Sequence, residues 1–222
     1  MSAPELVSIA TPKGPVSALI HAPEGEPLGA VILAPGAGAT LAQPFLVSLC
    51  QDLAAAGYLA LRFNFPYKEH NQARPDPSSI LLATWRAAVD MVRERAGSRP
   101  LAVGGRSMGG RIASMMVAEG ASVQGLLLFA YPLHSPSGRG EPRTGHLPDI
   151  RVPTLFVSGT RDQLAPIDEL RGAVRLVPAS ELVELPGADH GFRTLKGATP
   201  GTAETERNAR AAAVEWLGRN LR

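Results

Sequence analysis

The stretch Gly104-Gly-Arg-Ser-Met-Gly-Gly-Arg111 is the most informative segment of this chain. It contains the pattern Gly-x-Ser-x-Gly centred on Ser107, follows an apolar run at 101–103 and precedes a segment with helical spacing. A serine in a sharp strand-to-helix turn exposes its hydroxyl, and the close backbone there requires almost no side chain two positions before and after it. Gly105 and Gly109 fill those positions. The stretch therefore predicts a nucleophilic serine between a strand and a helix.

Composition indicates one globular domain spanning residues 1–222. Of these residues, 45% are hydrophobic and 19% are charged, which is typical of a folded chain. The net charge is only +2 and the basic residues are scattered, so we expect no nucleic-acid partner. No apolar run approaches the roughly 20 residues that span a bilayer, so we expect no membrane segment.

The single cysteine and the N-terminus favour a cytoplasmic protein. Cys50 excludes an intramolecular disulfide, and its place on the apolar side of a predicted helix indicates a buried structural thiol. The first residues have no basic region followed by an apolar one, so we expect no secretory signal.

Apolar runs alternate with helical patterns along the chain. The runs predict eight strands, at residues 6–10, 16–22, 30–34, 58–65, 101–104, 123–131, 154–158 and 181–185. Helices are predicted at residues 41–56, 78–96, after Ser107, 167–176 and 202–221. This order predicts the α/β class, with a three-layer, doubly wound and mostly parallel eight-stranded sheet after an N-terminal hairpin.

A serine nucleophile needs a base and a carboxylate, which in such sheets lie beyond the carboxyl ends of the strands. Of the five histidines, His190 follows the last predicted strand and is the expected base. Asp162 follows the strand before it, lies between the serine and the histidine in chain order, and is the expected orienting acid. Asp189 and Asp149 are weaker alternatives for that role.

An oxyanion site needs fixed donors facing the carbonyl oxygen of the substrate. The backbone N–H of Met108, directly after the nucleophile, is the first expected donor. The second is expected from the small-residue loop after the third strand, at Ala37 or alternatively at Gly38.

The same loop contains part of a dinucleotide-binding motif, but the rest of that motif is missing from the sequence. Gly36-Ala-Gly38 would need a third glycine where Leu41 stands, and the next strand ends without an acidic residue for a ribose. No phosphate-binding loop, metalloprotease motif or Cys/His cluster occurs, so we expect neither a cofactor nor a metal.

The substrate side of the site is less defined. The segment 132–148 is rich in Gly and Pro without a helical pattern, so we expect an open site with no helical cap. Five arginines fall in or near the predicted rim, and they fit either an acidic substrate or solvated surface charge: Arg106, Arg111, Arg139, Arg143 and Arg161.

Three motifs in order resemble those of the α/β-hydrolase superfamily, over nearly the whole chain. They are Gly105-Arg-Ser-Met-Gly109, Gly159-Thr-Arg-Asp162 and Gly187-Ala-Asp-His190, and the branch that they resemble most is the small uncapped one related to dienelactone hydrolase. Arg62-Phe-Asn-Phe-Pro-Tyr67 and Tyr131-Pro-Leu-His134 are similar to a subgroup with testis-expressed hydrolase-like proteins and a chromatin-complex subunit of the NSL type.

The resemblance has departures that bear on function. Dienelactone hydrolase uses a cysteine nucleophile where this chain has Ser107, and many relatives have histidine where this chain has Pro35. We expect a serine hydrolase acting on a small-molecule carboxylic ester or thioester. A non-catalytic binding protein on the same fold, or a peptidase or acyltransferase with the same triad, stays open.

Overall fold

The computed structural model describes residues 3–138 and 140–221. Its strands are β1 (Glu5–Ile9), β2 (Val16–His21), β3 (Gly29–Ala34), β4 (Tyr58–Phe63), β5 (Leu101–Arg106), β6 (Gly125–Phe129), β7 (Thr154–Gly159) and β8 (Ser180–Leu185). Its helices are α1 (Pro44–Ala55), α2 (Pro66–Glu69), α3 (Ser78–Ala96), α4 (Met108–Ala118), α5 (Ile167–Val174) and α6 (Thr202–Asn220).

The eight strands form one sheet in the order β1-β2-β4-β3-β5-β6-β7-β8. β1 and β2 are antiparallel to their neighbours, and all strands from β3 to β8 pair in parallel. The register pairs Ala34 with Gly105 and Gly159 with Leu185. The loop after β3 therefore begins beside the end of β5, and the loops after β7 and β8 begin side by side.

Helices cover both faces of the sheet. Helices α1 and α6 pack on one face, around buried residues such as Leu33, Phe129 and Trp216. Helices α3, α4 and α5 pack on the other face, around residues such as Trp85 and Ile112. The strands from β3 to β7 are nearly all apolar because both of their faces are buried. The expected α/β class and mostly parallel eight-stranded sheet are confirmed.

Several predicted boundaries are wrong, for identifiable reasons. α1 begins at Pro44 rather than at 41, because the Leu41 carbonyl, which a longer helix would pair with residue 45, accepts from Arg62 instead, and proline is favoured at the first helical position. β4 ends at Phe63 rather than at 65, because the chain turns into α2, which begins at Pro66 in a segment where no helix was predicted.

The described part of the connection from β6 to β7 carries no cap domain. Within its described residues, the sole helical element is a 3₁₀ turn at Leu147–Asp149. Across residues 3–138 and 140–221, no helix is both long and apolar enough to cross a membrane.

Candidate active site

Ser107 lies in a strained turn between β5 and α4. Its φ is +49°, a left-handed conformation that costs energy for a residue with a side chain. The neighbouring glycines have a steric reason: a Cβ on Gly105 would lie 2.3 Å from the carbonyl oxygen of Ala34, and one on Gly109 would lie 2.4 Å from the same atom. The sequence folds into this turn because only glycine fits at both positions.

Ser107, His190 and Asp162 form a continuous hydrogen-bonded chain. Nε2 of His190 lies 2.9 Å from Oγ of Ser107, and its Nδ1 lies 2.8 Å from Oδ2 of Asp162. With the proton on Nδ1, the ring donates to the carboxylate and accepts from the serine hydroxyl, which is the tautomer that a general base requires. Asp162 is fully buried at its side chain, whereas the His190 side chain is 30% exposed. The structure thus brings together the three side chains predicted from sequence.

The other two aspartates have different positions. Asp189 accepts from the backbone N–H groups of Gly191 and Arg193 at 2.7 and 2.9 Å, so it shapes the loop that carries His190. Asp149 lies in the 3₁₀ turn before β7. Asp162 alone among the three bonds to His190, and its second oxygen accepts from the N–H of Leu164 at 2.8 Å.

Arg106 fixes the His190 loop to the end of β5. Its guanidinium is buried, lies 5.1 and 4.5 Å from the ring centres of Phe45 and Phe192, and donates to the carbonyl of His190 at 3.1 Å. Burial lowers the pKa of Arg106, while Glu206 is the first of the nearby carboxylates that oppose this shift. No sequence pattern predicts this contact, and its one signal is the position of the arginine directly before Ser107.

The loop after β3 lies against the nucleophile. A Cβ on Gly36 would lie 3.5 Å from the Cβ of Ser107. The N–H groups of Gly36, Gly38 and Ala39 donate to protein acceptors, but that of Ala37 has no acceptor among the residues that the structure describes.

Met108 is the first residue of α4, so its N–H belongs to the helix turn that has no intrahelical partners. Its side chain is half-buried and packs on the core. Ala37 and Met108 therefore both have backbone N–H groups suited to an oxyanion site, whereas the alternative, Gly38, donates to Tyr67.

An open cleft of approximately 480 Å³ surrounds Ser107 and His190. Its remaining lining mixes apolar and polar residues: Gly36, Ala37, Gln43, Pro44, Phe45, Arg106, Pro136, Leu164, Gly191, Arg193 and Glu206. Arg193 and Glu206 were not predicted as lining residues. Arg193 lies in the His190 loop, and no local pattern in α6 connects Glu206 with that loop.

The other four histidines lie outside the lining of this cleft. His134 pairs with Glu169 at 2.7 Å, and His146 lies 2.8 Å from the Ser114 hydroxyl. His70 is exposed at the end of α2. His21 is buried in β2, where its Nε2 lies 3.2 Å from Arg62.

Of the arginines predicted near the rim, Arg106 alone among the four described lines the cleft. Arg161 is exposed and donates to the Gly187 carbonyl, while Arg111 and Arg143 are half-buried near Tyr131. Arg139 lies outside the described residues.

Two further features concern metals and redox chemistry. Among the described residues, no group of three or more His, Cys, Asp or Glu side chains is placed to hold a metal ion. Cys50 is fully buried, and burial raises the pKa of its thiol to about 12, which makes it unreactive at neutral pH. The cytoplasmic location inferred from this single cysteine stays a prediction.

A doubly wound sheet with a serine at a strained strand-to-helix turn defines the class of α/β-hydrolases. The chain belongs to this family: a family model described as an alpha/beta hydrolase domain matches residues 28–218.

Solved structures share the fold at low identity. The chain is similar to a dienelactone hydrolase from Anabaena variabilis, with 22% identity, 100% coverage of both chains and a TM-score of 0.79. It is similar to an alpha-beta serine hydrolase homologue from Coxiella burnetii, with 22% identity, coverage of 96% and 98% and a TM-score of 0.76. A lidless serine hydrolase from Xanthomonas campestris has 18% identity, coverage of 99% and 95% and a TM-score of 0.77.

These likenesses confirm the expected uncapped α/β-hydrolase. The narrower resemblance to the testis-expressed and NSL-type subgroup stays a prediction.

Proposed function

We propose that the protein is a serine hydrolase that cleaves a small-molecule carboxylic ester or thioester through an acyl-enzyme. The observation that carries this proposal is the unbroken chain from Ser107 Oγ through His190 to Asp162, with contacts of 2.9 and 2.8 Å, at an open cleft. This is the arrangement that activates a serine hydroxyl.

In the first half-reaction, Oγ of Ser107 attacks the acyl carbon and its proton passes to Nε2 of His190. Asp162 keeps the proton on Nδ1 and stabilises the imidazolium. The N–H groups of Ala37 and Met108 stabilise the negative charge that develops on the carbonyl oxygen. The carbon–oxygen or carbon–sulfur bond then breaks, and His190 returns the proton to the leaving group.

In the second half-reaction, water replaces the leaving group. His190 removes a proton from the water, the hydroxyl attacks the acyl carbon, and the bond to Ser107 breaks as His190 protonates its oxygen. The products are the free acid and the regenerated serine, so no cofactor is consumed.

The test is turnover of aryl esters and acyl thioesters of graded chain length, by wild type and Ser107→Ala. We expect the variant to lose activity on the order of a millionfold. Ser114→Ala is a matched control, because it removes a buried hydroxyl from α4, the helix that follows Ser107, at a site outside the cleft. Ester turnover that survives in Ser107→Ala would overturn the assignment.

A covalent probe, amide substrates and added acyl acceptors separate the alternative functions. A non-catalytic binding protein would turn over none of the esters and would react with no fluorophosphonate probe. A peptidase would prefer the matching amides, and an acyltransferase would release free acid more slowly than it acylates an added alcohol or amine.

A further inference from the structure

Three side chains of the stretch Arg62-Phe-Asn-Phe-Pro-Tyr67 bond to the backbone of the loop after β3. Nη1 of Arg62 donates to the carbonyl of Leu41 at 2.8 Å. Oδ1 of Asn64 accepts from the N–H of Leu41 at 2.6 Å, and the hydroxyl of Tyr67 accepts from the N–H of Gly38 at 2.9 Å. This stretch has no role in the chemistry proposed so far, yet it contacts the loop that carries Ala37.

The loop after β3 has few internal contacts that would order it. Residues 36–39 are Gly-Ala-Gly-Ala, which have no side-chain polar groups, and Gly38 has a φ of +76°. Glycine loses more backbone freedom than any other residue when it becomes ordered. Besides the turn bond from Ala39 to Gly36 and a 3.5 Å contact from Gly36 to the Gln43 side chain, the hydrogen bond that fixes this segment comes from Tyr67 in α2. Arg62 and Asn64 hold the same loop at Leu41, two residues further along the chain.

Asn64 and Tyr67 are in turn held by hydrogen bonds to the carboxylates of Glu69 and Asp76. Nδ2 of Asn64 donates to Glu69 at 2.7 Å, and Glu69 also accepts from the backbone N–H of Ser17 in β2 at 2.8 Å. The N–H of Tyr67 donates to Asp76 at 2.8 Å, and Asp76 pairs with Lys13 at 2.7 Å. The short helix α2 thus connects the N-terminal hairpin to the loop after β3.

These contacts engage some backbone N–H groups of the loop after β3 and not others. The N–H of Gly38 is turned toward Tyr67 and that of Leu41 toward Asn64, while the N–H of Ala37 has no acceptor among the described residues. An oxyanion donor acts only when it is fixed close to the position of the charged oxygen, and a displacement of about 1 Å can cost about a hundredfold in rate.

We propose that Arg62, Asn64 and Tyr67 are positioning residues that hold the loop after β3 so that the Ala37 N–H faces the substrate carbonyl oxygen at Ser107. They touch no reacting atom and act through the loop backbone. The proposal rests on the proposed hydrolase function, since an oxyanion site has a role only in acyl transfer.

The first test is Tyr67→Phe, which removes one hydroxyl from a fully buried ring. We expect kcat for an aryl ester to fall by about ten- to a hundredfold with KM changed less than about twofold, because the lost contact matters in the transition state. Tyr131→Phe is the matched control, since it removes another buried hydroxyl, one that donates to the Arg143 carbonyl at 2.6 Å. Its kcat should stay within about twofold of wild type.

A thionoester substrate adds a readout that general destabilisation does not move. It has sulfur in place of the carbonyl oxygen, and sulfur is a weak hydrogen-bond acceptor. Tyr67→Phe and Asn64→Ala should therefore slow the ester much more than the thionoester. Equal losses on both substrates, or a loss no larger than that of Tyr131→Phe, would overturn the proposal.

Amide hydrogen exchange tests the loop without any substrate. The Gly38 amide should exchange about tenfold faster in Tyr67→Phe than in wild type, and the Leu41 amide should do so in Asn64→Ala. Unchanged exchange in both variants contradicts the proposal. If exchange changes as expected but wild type shows no Ser107-dependent hydrolysis, the proposed function fails while the contacts that order the loop remain established.

Discussion

Replacement of Arg106 by methionine should release the His190 loop while keeping an aliphatic stem between Phe45 and Phe192. The lost bond to the His190 carbonyl is made by a charged donor and is worth about 1.5–3 kcal/mol. Each ring contact contributes about 1 kcal/mol. Relief from burying the charge offsets part of this loss, as the lowered pKa of Arg106 indicates. We expect a net destabilisation of about 1–3 kcal/mol.

The effect on catalysis should exceed the effect on stability. If the His190 ring shifts by about 1 Å relative to Ser107, kcat should fall by about ten- to a hundredfold. The assay is kcat and KM on the best ester, together with the thermal midpoint. Arg161→Met is the control, because this exposed arginine donates to the Gly187 carbonyl of the same loop at 3.1 Å. It should change stability by less than about 0.5 kcal/mol and kcat by less than about twofold.

Two results would refute the positioning role of Arg106. A destabilised Arg106→Met enzyme with wild-type kcat would show that the contact supports the fold without orienting His190. A variant indistinguishable from Arg161→Met in both measurements would show that the contact contributes nothing. Arg106→Lys keeps the charge but loses the planar guanidinium group. Its kcat and its thermal midpoint should lie between those of wild type and Arg106→Met.

Three further predictions concern pH, the turn and the acid. Burial, followed by nearby Arg111, lowers the pKa of His146 to about 4 from 6.5, so the folded chain binds fewer protons than the unfolded chain in that window. Its contribution to stability is complete above pH 6.5 and is lost as pH falls toward 4. Thermal midpoints of His146→Phe against pH should be flatter there, and an unchanged slope would rule this out. Gly109→Ala should cost at least about 1–3 kcal/mol in a urea titration, because its Cβ would overlap the Ala34 carbonyl; unchanged stability would mean that the turn is looser than the structure indicates. Asp162→Asn should lower kcat by about 10⁴-fold with little change in KM, and near-normal kcat would exclude Asp162 as the orienting acid.

The positions of Ser107, Asp162 and His190 can be predicted from the sequence because each follows a strand of one parallel sheet. The carboxyl ends of such strands meet at one edge, so residues far apart in the chain come together whatever the helices between them contain. Gly105 and Gly109 add a local signal, since the turn excludes any side chain at those positions.

The hydrogen bonds that hold the loops of the site in place cannot be predicted in the same way. Arg106 and Tyr67 bond to backbone atoms of distant loops, and no periodicity or spacing encodes such a contact. The start of α1 is misplaced by the same cause, because Arg62 donates to the Leu41 carbonyl that a longer helix would use. Local sequence patterns determine the helices and strands. The contacts that support the site, and the shifted start of α1, come from single long-range hydrogen bonds.

The most direct test of the account is the site of covalent labelling by a fluorophosphonate, read by intact and peptide mass spectrometry. Wild type should take up one label, on the peptide that contains Ser107, and Ser107→Ala should take up none. Asp162→Asn should be labelled at the same serine but much more slowly, because His190 loses its orienting carboxylate. A label that persists in Ser107→Ala, or that falls on another residue in wild type, would contradict the assignment of Ser107 as the nucleophile.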